Sequence, residues 1–298
     1  MDLITPAYQL ASTLAQRLPK RVVEGGAPWV AGLFALRPTP KRQIVERHQQ
    51  RVTPGLHGVA LRHRVRDVYR SYGRYYAESF RLPGTTEDEL DDRFRVEGYE
   101  HFAAALEGDI GTIAVLPHLG SWEWMAQWLA RVREVPVTAV VERLEPPALF
   151  EWFTEFRREM GLHIVPLGPE AGKAVSQALK ARHVIALLSD RDITGGGVEV
   201  EFFGERTTFP AGPATLALRA GAPLLPGANY FEGDAHRCII RPPLDTSRQG
   251  TIKEDIARIT QALAADFEVL IRRAPDQWHL LQPNWPSDFE LAGKERAA

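Results

Sequence analysis

The chain has 298 residues, 44 % hydrophobic and 25 % charged, with a formal net charge of −2. That composition excludes wholesale disorder and argues against a generic nucleic-acid binder; the one cysteine, Cys238, excludes an intrachain disulfide. No run of about 18 apolar residues offers a membrane-spanning helix. The N-terminus lacks the basic start and apolar block of a signal peptide.

In chain order, the first 21 residues place Leu3, Ile4, Tyr8, Ala11, Leu14 and Leu18 at helical spacing, with Arg17, Lys20 and Arg21 near the end. Pro28-Trp29-Val30 and Leu33-Phe34 follow. Two readings fit: an amphipathic helix packed on its own domain, or a segment lying in a membrane headgroup region with an aromatic anchor. Helices are expected near 3–18, 40–52, 58–80 and 86–107. Between Lys41 and Arg74 nine Lys/Arg face only Glu46 and Asp67, with Tyr69, Tyr72, Tyr75 and Tyr76 interleaved at the end. A solvated helix face accounts for most of these side chains. The same mixture suits RNA, an anionic bilayer or a phosphate-bearing acyl carrier. The acidic cluster Glu87-Asp88-Glu89 and Asp91-Asp92, after Thr85-Thr86, reads as a helix cap and dipole complement.

A strand–helix alternation comes next. Strands are expected at 111–116, 137–141, 163–167 and 184–188, and helices near 121–133, 147–160 and 171–181. Further strands fall at 197–203, 223–227 and 236–241, with Cys238 as a buried, inert thiol. A helix at 252–272 leads into an aromatic, Pro-containing tail. This rhythm predicts an α/β fold with a central, largely parallel or mixed sheet flanked by helices, and a helical N-terminal subdomain. One domain over 1–298 is expected: 1–80 helical, 108–245 the α/β core, and 250–298 the last helix and tail.

Sites in open α/β sheets gather beyond the carboxyl ends of the strands. Here those ends carry His118, then Glu142-Arg143, then Asp190-Arg191-Asp192. In Ile113-Ala114-Val115-Leu116-Pro117-His118-Leu119-Gly120-Ser121-Trp122-Glu123, Pro117 stops a β-prone run and Gly120 frees the turn into a helix. An imidazole at a strand end with a carboxylate five residues later can take a proton from a hydroxyl. A satisfied structural histidine is the competing reading. Ser121 has no nucleophile-elbow context. For Asp190, costly to leave unpaired at the end of an apolar strand, the plain reading is a local pair with Arg191; for Glu142-Arg143 and Arg157-Arg158 it is an ion pair across a helix start. Gly195-Gly196-Gly197 lacks the Lys-Ser/Thr of a nucleotide-binding loop. The scattered histidines lack metal-site spacing, so no metal is expected.

The His118-x4-Glu123 block resembles the glycerolipid and lysophospholipid acyltransferases. It looks most like the branch that holds the bacterial lipid A late acyltransferases and the actinobacterial phosphatidylinositol mannoside acyltransferases. Gly197-Val198-Glu199-Val200-Glu201-Phe202-Phe203-Gly204 with Phe209-Pro210-Ala211-Gly212-Pro213 resembles the same branch. Asp276-Gln277-Trp278-His279-Leu280-Leu281-Gln282-Pro283-Asn284-Trp285 is similar to the mannoside enzymes. The resemblance implies acyl transfer from a thioester to a sugar hydroxyl, with His118 as general base, Glu123 as its orienting acid and Asp190 as a second acid. It also implies that Glu142, Arg157 and Arg191 help bind substrate, Arginine suiting a phosphate by bidentate bonding.

No cofactor is implied. The expected partners are an acyl-CoA co-substrate (palmitoyl-CoA), a mannosylated phosphoinositide or similar glycolipid, and an anionic membrane surface, with no nucleic acid. The expected location is peripheral, on the cytoplasmic face of the plasma membrane. A lipid A-type or other glycolipid acyltransferase using acyl carrier protein, a slow thioester hydrolase and a catalytically inactive lipid-binding protein are the alternatives. Val198, Val200 and Phe202 share one face by alternation, and either pack in the core or line an acyl groove.

Overall fold

The computed structural model describes residues 4–293, so Leu3 of the first expected helix lies outside the described residues. Helix α1 (Ile4–Arg17) turns at Pro19 into α2 (Lys20–Phe34). The apolar segment around Trp29 is thus a second helix, with Pro28 inside it. Helix α3 (Pro40–Val52) starts where Thr39 Oγ1 accepts from the Arg42 amide, with Pro40 in its first turn. The long α4 (Gly58–Arg81) carries the tyrosines.

The single helix expected over 86–107 is three elements: α5 (Glu87–Asp92), strand β1 (Phe94–Glu97) and α6 (Tyr99–Leu106). Thr86 caps α5 by accepting from the Glu89 amide, and the acids that follow complement the helix dipole. Gly98 breaks the run. Its φ is +77°, and a Cβ there would sit 2.1 Å from the Ile240 carbonyl oxygen. The close approach draws Phe94–Glu97 into the sheet edge.

The remaining elements alternate. They are β2 (Thr112–Leu116), α7 (Trp122–Gln127), β3 (Val137–Val141), α8 (Pro147–Glu159), β4 (His163–Pro166), α9 (Ala171–Lys180), β5 (Val184–Leu188), β6 (Val198–Phe202), β7 (Glu205–Phe209), α10 (Gly212–Ala220), β8 (Leu224–Glu232), β9 (Ala235–Ile240), α11 (Ile252–Arg273) and α12 (Pro286–Ala292). Among the described residues seven strands form one sheet in the order β1-β9-β8-β2-β5-β3-β4, with β6 and β7 as a separate hairpin. Only β8 and β9 pair antiparallel in the large sheet; the other neighbours run parallel. The expected α/β class and mixed, largely parallel sheet are therefore what the chain forms.

Both faces of the sheet are covered, which is why the central strands read as unbroken apolar runs. Ile113 and Val115 enter one core with Phe202, Phe209, Phe267 and Trp285, while Leu116 enters the other with Trp124, Phe156 and Met160. Val200 and Phe202 are buried in the first core, and Phe202 stacks on Trp285 at 5.6 Å. Core packing, not a groove lining, is their place. Cys238 is buried, and burial pushes its thiol up to about 12, as an inert thiol requires. The capping box of Thr251 and Glu254 starts α11, and the segment after it crosses back over the carboxyl ends of β2 and β5.

Candidate active site

The site begins with the pairing of β2 and β5. Leu116 lies opposite Leu188 in parallel register, so His118 and Asp190, two residues past each strand, leave the sheet side by side. His118 Nδ1 is 2.6 Å from Asp190 Oδ1, and the His118 amide donates to Oδ2 at 3.0 Å. Asp190 has no solvent exposure; His118 is 26 % exposed at its side chain. Burial opposes the charged form of Asp190. The His118 ring, with bonds from Trp278 and the His118 amide, outweighs it and holds the carboxyl below its usual range. An ionised Asp190 only accepts, so Nδ1 carries the proton of the neutral ring and Nε2 presents a lone pair. Nε2 has no protein partner among the described residues.

The loop that carries His118 is fixed by its backbone. Pro117 ends the strand, and Gly120 takes φ +60° with its amide donating to the Gln277 carbonyl at 2.9 Å. A Cβ on Gly120 would stand 1.7 Å from the Asn229 carbonyl oxygen, so no larger residue fits. Asn229 Nδ2 in turn donates to the Ser121 carbonyl at 2.6 Å.

Glu123 does not orient His118; this corrects the expectation drawn from the motif. It opens α7 on the other side of the loop, nearly buried. There its Oε1 accepts from Tyr75 Oη at 3.2 Å and from Arg157 Nε and Nη2 at 3.0 and 2.7 Å. Burial works against the Arg157 charge, but Glu123 holds the guanidinium above its usual range. Burial likewise raises Tyr75, so it stays a donor. Trp122 lies between the two groups: it stacks on Tyr75 at 4.1 Å and meets the His118 ring edge-on at 5.6 Å.

Arg191 pairs with Glu142 at 2.6 Å rather than with its neighbour Asp190. Glu142 directly follows β3, the strand next to β5, so the pair spans two adjacent strand ends. Nor does Glu142 pair with Arg143, whose guanidinium lies over Phe150. Glu142 and Arg191 line a cavity of about 780 Å³ that runs along Val140, Leu187, Leu188 and Leu216. Ser189 and Arg191, the two neighbours of Asp190, are part of its wall. A smaller cavity of about 70 Å³ is lined by Trp122, Glu123 and Arg157.

Sequence reasoning assigned no roles in the C-terminal segment. Trp278 Nε1 donates to Asp190 Oδ2 at 2.8 Å, Asn284 Nδ2 to the Asp190 carbonyl at 3.0 Å, and the His279 amide to the His118 carbonyl at 2.6 Å. The buried His279 ring bonds Ser71 Oγ at 2.8 Å, and burial first, then the nearby His118, lowers its pKa to about 3. Tyr75 was likewise one tyrosine among several. The signals available were an aromatic tail too rich for a disordered terminus and a tyrosine cluster on one helix.

A sequence model of the family described as bacterial lipid A biosynthesis acyltransferase matches residues 8–287. The chain is 39 % identical over 236 residues to a Mycolicibacterium smegmatis protein named phosphatidylinositol mannoside acyltransferase, covering 78 % of this chain and 75 % of that one. It is 41 % identical over 225 residues to a Mycobacterium tuberculosis protein of the same name, covering 74 % and 69 %.

Proposed function

The chain belongs to the bacterial lipid A biosynthesis acyltransferase family, and on that premise we propose that it moves a palmitoyl group from its coenzyme A thioester to a mannose hydroxyl of a phosphatidylinositol mannoside. The observation that carries the mechanism is the 2.6 Å bond between His118 and a fully buried Asp190, which in the neutral ring puts the proton on Nδ1 and the lone pair on Nε2. His118 Nε2 takes the proton of the sugar hydroxyl as its oxygen attacks the thioester carbonyl carbon. Asp190 stabilises the imidazolium that forms. The tetrahedral intermediate collapses, the carbon–sulfur bond breaks, and the leaving thiolate takes the proton back from Nε2. No covalent acyl-enzyme is needed.

The other charged groups bind and shape. Arg191 lines the cavity beside Asp190 while its Nη2 holds Glu142, so its guanidinium is placed to meet a phosphate or the developing oxyanion. Glu123 and Arg157 form a fixed pair on the acceptor side, with Oε2 of Glu123 receiving no protein donor among the described residues. The apolar cavity beside Asp190 lies in the size range of ligand pockets, about 300–1,000 Å³, and suits the acyl chain.

Helices α1 and α2 supply the contact with the lipid surface. Leu10, Leu14, Leu18, Val22, Trp29, Val30, Leu33 and Phe34 are exposed, and Arg17, Lys20, Arg21 and Arg37 accompany them. No helix among the described residues is long and apolar enough to cross a membrane. The basic residues beside the exposed apolar ones support a reading in which the protein sits peripherally on an anionic, cytoplasmic leaflet. Mass spectrometry of the product formed from palmitoyl-CoA and a panel of glycolipid acceptors tests the reading. Acylated mannoside supports it, and a His118→Ala variant with full transfer activity would overturn the chemistry.

A further inference from the structure

Asp190 can hold His118 in one tautomer only if its own carboxylate is held, and part of that holding comes from the C-terminal segment. Oδ1 is committed to the ring. Oδ2 takes two donors, the His118 amide at 3.0 Å and the Trp278 indole at 2.8 Å. The residue's backbone carbonyl takes a third, from Asn284. Trp278 is 1 % exposed and wedged among Phe202, Trp285 and His48, the last stacked on it at 5.3 Å. The indole therefore cannot swing away. Its N–H points at Oδ2 because the ring is packed there, and an isolated bridge between Leu119 and Trp278 sets its height against the His118 loop.

From this arrangement we propose that Trp278 is a positioning residue for acyl transfer: its indole N–H holds one oxygen of the Asp190 carboxylate, which fixes the plane of the group and keeps the other oxygen aimed at the His118 ring. The proposal rests on His118 acting as general base. Trp278 touches neither substrate in this role; it acts through Asp190. The indole also withdraws charge from the carboxylate, and does so most when the ring is neutral. Losing that donor leaves Asp190 more basic and favours the imidazolium, so the acidic limb of the rate profile moves to higher pH. The other ionisable groups around the pair are His279, neutral at its lowered pKa, Glu123 bound to Arg157, and His48 with Asp288 and Arg51 beyond the indole.

Trp278→Phe keeps an aromatic ring in the core and removes the N–H. The full-length variant, checked for an intact thermal melt, is expected to lose about tenfold in kcat, with KM for palmitoyl-CoA and glycolipid nearly unchanged. Its acidic limb is expected at higher pH. An unmoved limb, or a loss confined to KM, overturns the proposal. A variant that fails to fold leaves the decision to the unmodified protein: with ¹⁵N-labelled tryptophan, the Trp278 indole resonance should titrate together with the His118 ring. A flat indole shift through that titration also overturns it. Neither readout depends on the identity of the acceptor, and His118→Ala tests the general base separately. Full activity in that variant sinks the underlying reading, whereas its inactivity beside a normal Trp278→Phe sinks only the positioning role.

Discussion

Asp190 Oδ1 reaches His118 Nδ1 across 2.6 Å, from a carboxylate with no access to solvent. An acceptor that cannot rehydrate has one use for its charge, and that use is the ring. Asp190→Asn keeps the size but can present an amide N–H to Nδ1, which selects the wrong tautomer. A fall in kcat of roughly 10³–10⁴-fold is expected, on the scale of the equivalent change in a Ser-His-Asp site. KM should barely move. A titration of initial rates against both substrates checks the split.

The ion pair of Glu123 and Arg157 is nearly closed to solvent. Removing one partner strands the other. Arg157→Ala should destabilise the protein by about 3–5 kcal/mol, and Glu123→Gln in the same chain should restore part of that. Urea unfolding of the single and double variants measures the recovery, and purely additive losses would deny the coupling.

A second buried carboxylate, Glu78, contributes to acid sensitivity. Burial raises the pKa of Glu78, but His236 at 3.0 Å and the Arg74 bond at 2.7 Å outweigh it and bring it to about 2. A carboxylate with a depressed native pKa adds stability above its unfolded value, near 4.3, and loses it as pH falls through the native one. The share of unfolding free energy that Glu78 contributes should drop by roughly 2–3 kcal/mol between pH 4.5 and 2, on top of any loss at the other buried carboxylates. Glu78→Gln should be less stable at pH 7 and flatter across that window. Thermal melts at stepped pH compare the two.

Exposed apolar side chains on α2 give the proposed lipid contact a direct handle. Trp29→Ser with Phe34→Ser should weaken binding to anionic vesicles at least tenfold, since burying each such ring is worth about 1.5–3 kcal/mol. Turnover of detergent-dispersed acceptor should persist, because neither residue approaches His118. Vesicle flotation beside a micellar assay separates binding from chemistry. Equal flotation of variant and parent would move the contact elsewhere.

Much of this site could be read along the chain. The strand-end rule places His118, Glu142 and Asp190 at one end of the sheet, as they are, because β2, β5 and β3 are neighbours. What it lacks is strand order. His118 and Glu123 are five positions apart and look like partners, yet the turn at Gly120 sends Glu123 to the face where Tyr75 and Arg157 wait. The partner of His118 arrives from β5, through a register that no local pattern encodes. Strand β1 was hidden for a similar reason: Phe94–Glu97 is an edge strand defined by its neighbour β9, inside a stretch of helix-forming residues. Helix α2 escaped because Gly25, Gly26 and Pro28 lower its propensity, and its packing on α4 decides the outcome.

The bonds that converge on Asp190 span 72, 88 and 94 residues of chain. Contacts of such reach close late, after the local helices and hairpins have already ordered. A collapsed intermediate would own an oily surface and a histidine, but no tautomer control. The proposed proton transfer would therefore be a property of the finished tertiary structure alone, and the gain of activity during refolding should lag behind the gain of helix signal.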